Sequence, residues 1–513
     1  MCKFWKECVE QRTYALDLTD YFEKFDDVSL RGISSCSRLR ELNLSKCINL
    51  SPHCIPYLSK LSSLNKLVLP SHIFNKHVIE NPMQHIAAIE SLEALTFLSD
   101  VNKQGTTFEL EEMKEIYKLK NLTNLDIQDF HLHEVDCYKM LAKMGNLRVL
   151  KLPNTVTWQT LLPVCDSKTL ESLDYPNGRG MRVTALQKMA KMKNLTELYL
   201  SCSERGLGKR VIDNLCKLKS LRKLHLFVRG VDFKPSIRDL SKLEELKVFE
   251  ERFTESSGWE NLGFLISLKR LTLNYFPNNF DFLKKLAHLE EFSCRSFYYS
   301  LAPLDMSPFF SLPNLKKLRL HIPKIEDNFF QFLSANSLEC LQLECPAKLS
   351  TIGNLISLTH LSLENFELGE TQTWDFLSSL TRLKLLRISS RTFKAQDAQF
   401  LSGLKSLEFL DLNNTLIDST SIEYITSLVK LNSLYLELNQ NLTDECMEEI
   451  KKLPNLRKVS FLGCARVSNF GLLNLYKGNN SIYQIIKPNS KSPTVTRNYR
   501  EPRPPRPELD IFL

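Results

Sequence analysis

Glycine is scarce, with 16 in 513 residues. That argues against Gly-rich phosphate-binding architecture and against long flexible linkers. Catalytic signatures are missing as well. There is no Gly-x-Ser-x-Gly elbow, no phosphate loop and no His-Glu-x-x-His helix, so no enzyme, catalytic residue or cofactor is expected. No window approaches the ~18 consecutive apolar residues of a membrane span. The opening Met1-Cys2-Lys3-Phe4-Trp5-Lys6-Glu7-Cys8 carries charges where a secretion signal needs an apolar core. Outside the C-terminal tail no dense Lys/Arg block occurs, and the net charge of +8 is thinly spread. Nucleic-acid binders concentrate their charge on one face, so the expected partner is neither nucleic acid nor membrane.

The 14 cysteines are scattered, many at places where a leucine or small core residue would fit. With no secretion signal they read as unpaired thiols in a reducing interior, cytoplasmic or nuclear. Asn-x-Ser/Thr triplets such as Asn121-Leu122-Thr123 and Asn194-Leu195-Thr196 are then not glycosylated. One loosely metal-like spacing, His131-Leu-His133-x-x-x-Cys137, lacks the four firmly spaced ligands of a zinc site. It reads as surface-loop residues, and no metal is expected. Cys340 and Cys345 flank one Leu-x-Leu and follow its spacing rather than forming a ligand pair.

Leucine is abundant, about 90 residues or nearly one in six, and it recurs in register. Leu39-Arg-Glu-Leu42-Asn-Leu44-Ser-Lys-Cys47 has the form Leu-x-x-Leu-x-Leu-x-x-Cys. Copies start at Leu64, Leu122, Leu147, Leu170, Leu195, Leu221, Leu243, Leu268, Leu289, Leu315, Leu338, Leu358, Leu383, Leu407, Leu431 and Leu456, with an irregular one at Leu92. The mean spacing is about 25 residues over about 18 units. In Leu-x-Leu both leucines lie on one face of a short strand and the residue between faces solvent. The ninth position, Cys47, Thr415, Asn439 or Cys464, turns inward and can bond turn backbone that is otherwise buried without partners. One-sided helical stripes precede later strands: Ile55, Leu58, Leu61; Ile212, Leu215, Leu218; Phe400, Leu401, Leu404. Each unit therefore reads strand, turn, helix, turn, and stacking units bury what one cannot.

Over nearly the whole chain the sequence resembles the leucine-rich-repeat family. The finer resemblance is to its cysteine-containing subtype, carried by Cys47-Ile-Asn-Leu50-Ser51, Cys464-Ala-Arg-Val467-Ser468 and, with Asn for Cys, Asn439-Gln-Asn-Leu442-Thr443-Asp444. The middle units fit the general repeat and depart from the subtype. The expected fold is α/β, a leucine-rich-repeat horseshoe solenoid with parallel strands on the concave face and helices on the convex face. Its expected divisions are an N-terminal cap at 1–12, a solenoid of about 18–20 units at 13–487, and a Pro/Arg-rich, disordered tail at 488–513 containing Pro-x-x-Pro. Tyr14-Ala-Leu16-Asp-Leu18 is the expected first strand and Ile482–Ile486 the closing one.

Cysteine-containing repeats often follow an F-box, and Met1-Cys2-Lys3-Phe4-Trp5-Lys6 resembles the end of an F-box's final helix, with the rest of that domain missing. The resemblance implies a non-catalytic protein-interaction scaffold. In its most specific form it implies a substrate-recognition subunit of an SCF-type ubiquitin ligase, with a Skp-family adaptor as partner where an F-box lies upstream. The alternative is a stand-alone interaction module or effector with no ligase link. The residues expected to face the concave sheet include Tyr199, His225, Phe227, Lys247, Phe249, Arg270, Tyr275, Arg295 and Arg319, with Lys317 and His321. Aromatics and arginines on adjacent strands are typical of interface hot spots, so this stretch is the expected protein-binding site. A more acidic stretch follows at Glu344, Glu364, Asp411 and Glu437.

Overall fold

Side chains alternate along a strand, so each Leu-x-Leu must hide two leucines and show the residue between them. The computed structural model follows that rule in copy after copy. The structure describes residues 14–486 and 495–496, apart from 20–24, 75–77, 99–105, 133, 178–179, 203, 205–206, 251–256, 275–278, 296–304, 323–328, 334–337, 345–350, 365–372, 480 and 483. The chain divides into two compact units, Met1–Asn274 and Tyr275–Leu513. The expected cap at 1–12 lies outside the described residues, as does the tail except for Val495 and Thr496.

The strands of the first unit are β1 (Ala15–Asp17), β2 (Glu41–Asn43), β3 (Lys66–Pro70), β4 (Ala94–Leu98), β5 (Thr106–Phe108), β6 (Asn124–Asp126), β7 (Phe130–Leu132), β8 (Val149–Lys151), β9 (Ser172–Tyr175), β10 (Glu197–Cys202), β11 (Lys223–Val228), β12 (Glu245–Glu250) and β13 (Arg270–Leu273). β5 and β7 form their own parallel pair. The others pair in chain order, all parallel. Their register aligns Leu16, Leu42, Leu67, Leu95, Leu125, Leu150, Leu173, Leu198, Leu224, Leu246 and Leu271 in one buried column.

In the second unit β14 (Glu291–Arg295), β15 (Lys317–His321), β16 (Cys340–Glu344), β17 (His360–Glu364), β18 (Leu385–Ser389), β19 (Phe409–Asp411), β20 (Ser433–Tyr435), β21 (Lys458–Ser460) and β22 (Gln484–Ile486) repeat the arrangement. The buried column runs Phe292, Leu318, Leu341, Leu361, Leu386, Leu410, Leu434, Val459, Ile485. A last short strand, β23 (Val495–Thr496), pairs antiparallel with β22.

The segments that return from one strand to the next are α-helical in the first unit up to Gly208–Leu215, which carries the expected stripe of Ile212 and Leu215. From Pro235 on most are short 3-10 helices, such as Pro235–Asp239, Trp259–Phe264, Asp281–Lys285, Ser307–Ser311 and Asp375–Ser379. The stripe at Phe400 and Leu401 belongs to one of them, Ala395–Leu401. A 3-10 turn is narrower than an α-helix, and aromatic rings fill the difference. Phe309 meets Phe280 at 5.1 Å, Phe292 at 5.2 Å and Phe329 at 5.7 Å, and Trp374 meets Phe393 at 5.2 Å. The repeat length varies from 20 residues (Glu339 to Thr359) to 30 (Glu93 to Thr123).

Side-chain hydrogen bonds tie each unit to the one before it. The ninth-position residues do so as their spacing implies. Cys47 Sγ lies 3.8 Å from the Leu18 carbonyl and Cys464 Sγ 3.0 Å from that of Leu436. Asn439, fully buried, donates to the carbonyls of Leu412 and Leu436 at 2.8 and 3.0 Å and accepts from Thr415 N–H and O–H at 3.0 and 2.8 Å. The Ser/Thr of the cysteine-subtype pattern bonds back as well: Ser51 N–H to Asp27 and Ser468 N–H to Asp444, both at 2.8 Å, and Thr443 N–H to Ser419 at 2.9 Å. A second staple sits just before the first leucine. The amides of Asn121, Asn146, Asn194, Asn314 and Asn455 donate to the carbonyls of Glu90, Lys120, Lys168, Ala287 and Val429.

Replacing Asn439 by Ala leaves the buried Thr415 N–H without its acceptor and takes one donor from each of the Leu412 and Leu436 carbonyls, which keep only the Thr415 hydroxyl and the weak donor Cys464 Sγ. The expected loss is about 2–3 kcal/mol, read as a lower urea midpoint. Asn439→Cys, the residue used at the same place by Cys47 and Cys464, is expected to cost less.

Candidate functional site

The register that aligns the buried leucines also aligns what points outward. In the first unit Asp174, Tyr199, His225, Lys247 and Thr272 stand in one row across β9 to β13. The row on one side is Ser172, Glu197, Lys223, Glu245, Arg270, and on the other Ser201, Phe227, Phe249. Strands lie ~4.8 Å apart, so these side chains touch.

Glu245 organises the patch. Its Oε1 is 2.7 Å from His225 Nε2 and 3.5 Å from Lys247 Nζ, and its Oε2 accepts from Arg270 Nε at 2.9 Å. The hydrogen bond to His225, then that to Arg270, outweigh burial and hold the carboxyl down at about 2. The Tyr199 ring packs edge-on against His225 at 4.4 Å. Phe227 and Phe249 stack face to face, 4.6 Å apart and 14° from parallel, yet Phe227 stays 55% exposed. Beyond them Gln128 donates to Asp174 at 2.8 Å, and burial pushes the Asp174 carboxyl up to about 6.

Of the residues expected from sequence, Tyr199, His225, Phe227, Lys247, Phe249 and Arg270 come together here. Tyr275 lies outside the described residues. Arg295 and Arg319 point outward in the second unit, Arg295 beside His321 and Arg319 between Ser293 and Gln342. Glu245 was missed as the hub. Its position before the second leucine marks it as outward, but its partners stand on neighbouring strands and only the register shows them. The acidic stretch is partly paired: Glu344 meets His321, and Glu364 and Asp411 share Arg387 at 3.4 and 2.9 Å.

Nothing reactive stands out among the described residues. No group of three or more His, Cys, Asp or Glu is placed to hold a metal. His131 lies on β7, Cys137 is buried in the helix Val135–Lys143, and His133 is outside the described residues. Cys340 is half-buried on β16, and Cys345 is also outside the described residues. Every described cysteine is a free thiol. Burial pushes such thiols up, Cys165 to about 12, which suppresses the nucleophilic thiolate. No described helix is long and apolar enough to cross a membrane.

A buried Leu-x-x-Leu-x-Leu on a parallel strand, a turn, a short helix and a turn back, repeated in register, is the leucine-rich-repeat fold, and both units are built from it. No family model matches the chain. Over 132 residues it is 27% identical to Receptor-like protein EIX1 of Solanum lycopersicum, a stretch that is 26% of this chain and 13% of that protein's length. Among solved structures it is similar to a leucine-rich-repeat protein of Leptospira interrogans, with 20% identity and a TM-score of 0.41 over 89% of this chain and 97% of that one. It is also similar to TLR13, solved in complex with ssRNA13, with 20% identity and a TM-score of 0.42 over 92% of this chain and 65% of that one.

The low Glu245 value has a pH consequence. Its proton is held less tightly in the folded state than at the ordinary 4.5. Its stabilisation is therefore complete above about 4.5 and is lost as pH falls toward about 2. Glu245→Gln is expected to lower the melting midpoint at pH 7 and to flatten the decline between those values, measured by thermal melts across the acid range.

Proposed function

We propose that this chain is a non-catalytic scaffold that holds another protein against its outward-facing strands. The contact residues assigned to the first unit are Tyr199, His225, Phe227, Lys247, Phe249 and Arg270, and Arg295 and Arg319 would serve the same role in the second. The observation that carries this reading is the stacked but exposed pair Phe227–Phe249 beside the charged cluster on Glu245. A solvent-facing strand position ordinarily favours a polar residue, while aromatics beside arginine supply most of the energy in protein interfaces. Tying His225, Lys247 and Arg270 to one carboxylate orders those side chains in advance, which reduces the entropy lost on binding.

The finer reading is a substrate-recognition subunit of an SCF-type ubiquitin ligase, working in the cytoplasm or nucleus with a Skp-family adaptor. Its support is the fit of Cys47, Asn439 and Cys464 to the cysteine-containing repeat, together with the F-box-like Met1–Lys6. In that role the chain positions a target for chemistry done by another subunit.

Affinity capture from cell lysate tests both levels, using the full chain beside its Phe227→Ala/Phe249→Ala variant. A partner retained by the wild type is expected to fall about thirtyfold or more in the variant, as for loss of a hot spot worth about 2 kcal/mol. Skp-family and cullin peptides are expected with both. A partner held equally by the variant overturns the surface assignment. Absence of adaptor and cullin peptides from both overturns the ligase reading and leaves a free-standing interaction module.

A further inference from the structure

On β17 to β20 the outward positions carry more acid than base. Glu364 ends β17, Asp411 ends β19, and Glu437 lies two residues past β20. One guanidinium serves two of them, with Arg387 Nε 2.9 Å from Asp411 and Nη1 3.4 Å from Glu364. Glu437 meets the hydroxyl of Ser460, a neutral donor. Three carboxylates thus face one cation. The next row toward the strand starts runs His360, Leu385, Phe409, Ser433 on β17 to β20, where burial lowers the pKa of His360, and reaches a cation only at Lys458 on β21.

Apolar surface adjoins the acid. The Phe409 and Tyr435 rings lie 5.2 Å apart, and Leu438 and Leu462 are exposed. Leu438 also holds a φ of 60°, a left-handed conformation strained for leucine. The corresponding turn positions of its neighbours carry Asn414 and Gly463, residues that adopt it more readily. Such a face suits an extended segment that is cationic and partly apolar.

The chain contains such a segment. Beyond Thr496, outside the described residues, arginine recurs at every third position, Arg497, Arg500, Arg503 and Arg506, among Pro502, Pro504, Pro505 and Pro507. Proline-rich sequence favours the polyproline II helix, with three residues per turn and ~3.1 Å per residue. That period sets four arginines along one side, about 9 Å apart, close to two strand spacings of ~4.8 Å. Arg497 to Arg506 would span about 28 Å, and β22 to β17 about 24 Å. β23 already runs back along β22 and delivers the chain to this sheet at Thr496. Over 497–507 the four arginines are opposed by Glu501 alone, while Glu508 and Asp510 precede the apolar Ile511, Phe512 and Leu513.

We propose that the Pro/Arg-rich segment 497–507 docks across the outward rows of β17 to β20, its arginines on Glu364 and Glu437. This site is separate from the surface assigned to a protein partner in the first unit and does not depend on it.

Trypsin reads the docking directly, because it cuts after Arg497 and Arg500 and spares bonds before proline. In the full chain at low salt, cleavage there is expected to be about tenfold slower than in a free peptide of residues 488–513, as for a tethered segment. Protection is expected to vanish at about 0.5 M salt, where the screening length is a few ångströms, and in the Glu364→Gln/Glu437→Gln variant, whose cleavage sites are unchanged. A melting midpoint equal to wild type marks that variant as folded, and Glu437→Lys repeats the test with one substitution. Cleavage as fast as in the free peptide overturns the proposal. So does protection that survives the variants, and so does protection that weakens on dilution, which would place the segment on a second copy.

Discussion

One leucine-bearing strand of three to six residues cannot hide its apolar side. What makes it stable is the same residue on the strand before and the strand after, brought level by the parallel backbone ladder. The column from Leu16 to Leu271, and that from Phe292 to Ile485, are the result. Everything else in the structure accommodates that alignment. The returning segments can be α-helical or 3-10, and the repeat can lengthen or shorten, provided the next leucine arrives in register. The asparagine, serine and cysteine staples work to the same end, since each fixes one turn to the turn before it.

The division of labour between the two faces of a strand gives the chain its functional freedom. Inward positions are held by packing, and outward ones are constrained only by their neighbours in the row. On β10 to β13 that freedom has been used for a carboxylate hub and an aromatic stack. On β17 to β20 it has been used for acid in excess of base. Neither arrangement is needed to close the core.

Much of this was legible in the sequence. Leu-x-x-Leu-x-Leu identified the strands, and its alternation gave the outward residues, including Tyr199, Phe227 and Phe249. The inward role of Cys47, Asn439 and Cys464 followed from the need of turn backbone for partners. What could not be read was anything set between repeats. The Glu245 hub and the Arg387 bridge depend on which residues fall side by side across strands, whereas packing of Phe227 on Phe249 was one of the two readings the sequence offered for that pair. The Asn121 and Asn194 staples were visible only as glycosylation triplets, because their acceptors lie in the preceding unit. The 3-10 returns were hidden for a different reason. An i, i+3 stripe such as Phe400, Leu401, Leu404 suits either helix type, and the choice depends on aromatic bulk supplied by other repeats.

The central claim is that adjacent residues of one strand have opposite duties. Leu226 and Phe227 test it most directly, because they are neighbours on β11, one buried and one exposed. The measurement is the urea unfolding midpoint of Leu226→Ala beside Phe227→Ala. The account predicts a loss of about 2–5 kcal/mol for the first, as for a leucine removed from a core, and under about 1.5 kcal/mol for the second, the value of a ring stack. Equal losses would contradict it, because Phe227 would then be part of the packing that holds the fold together.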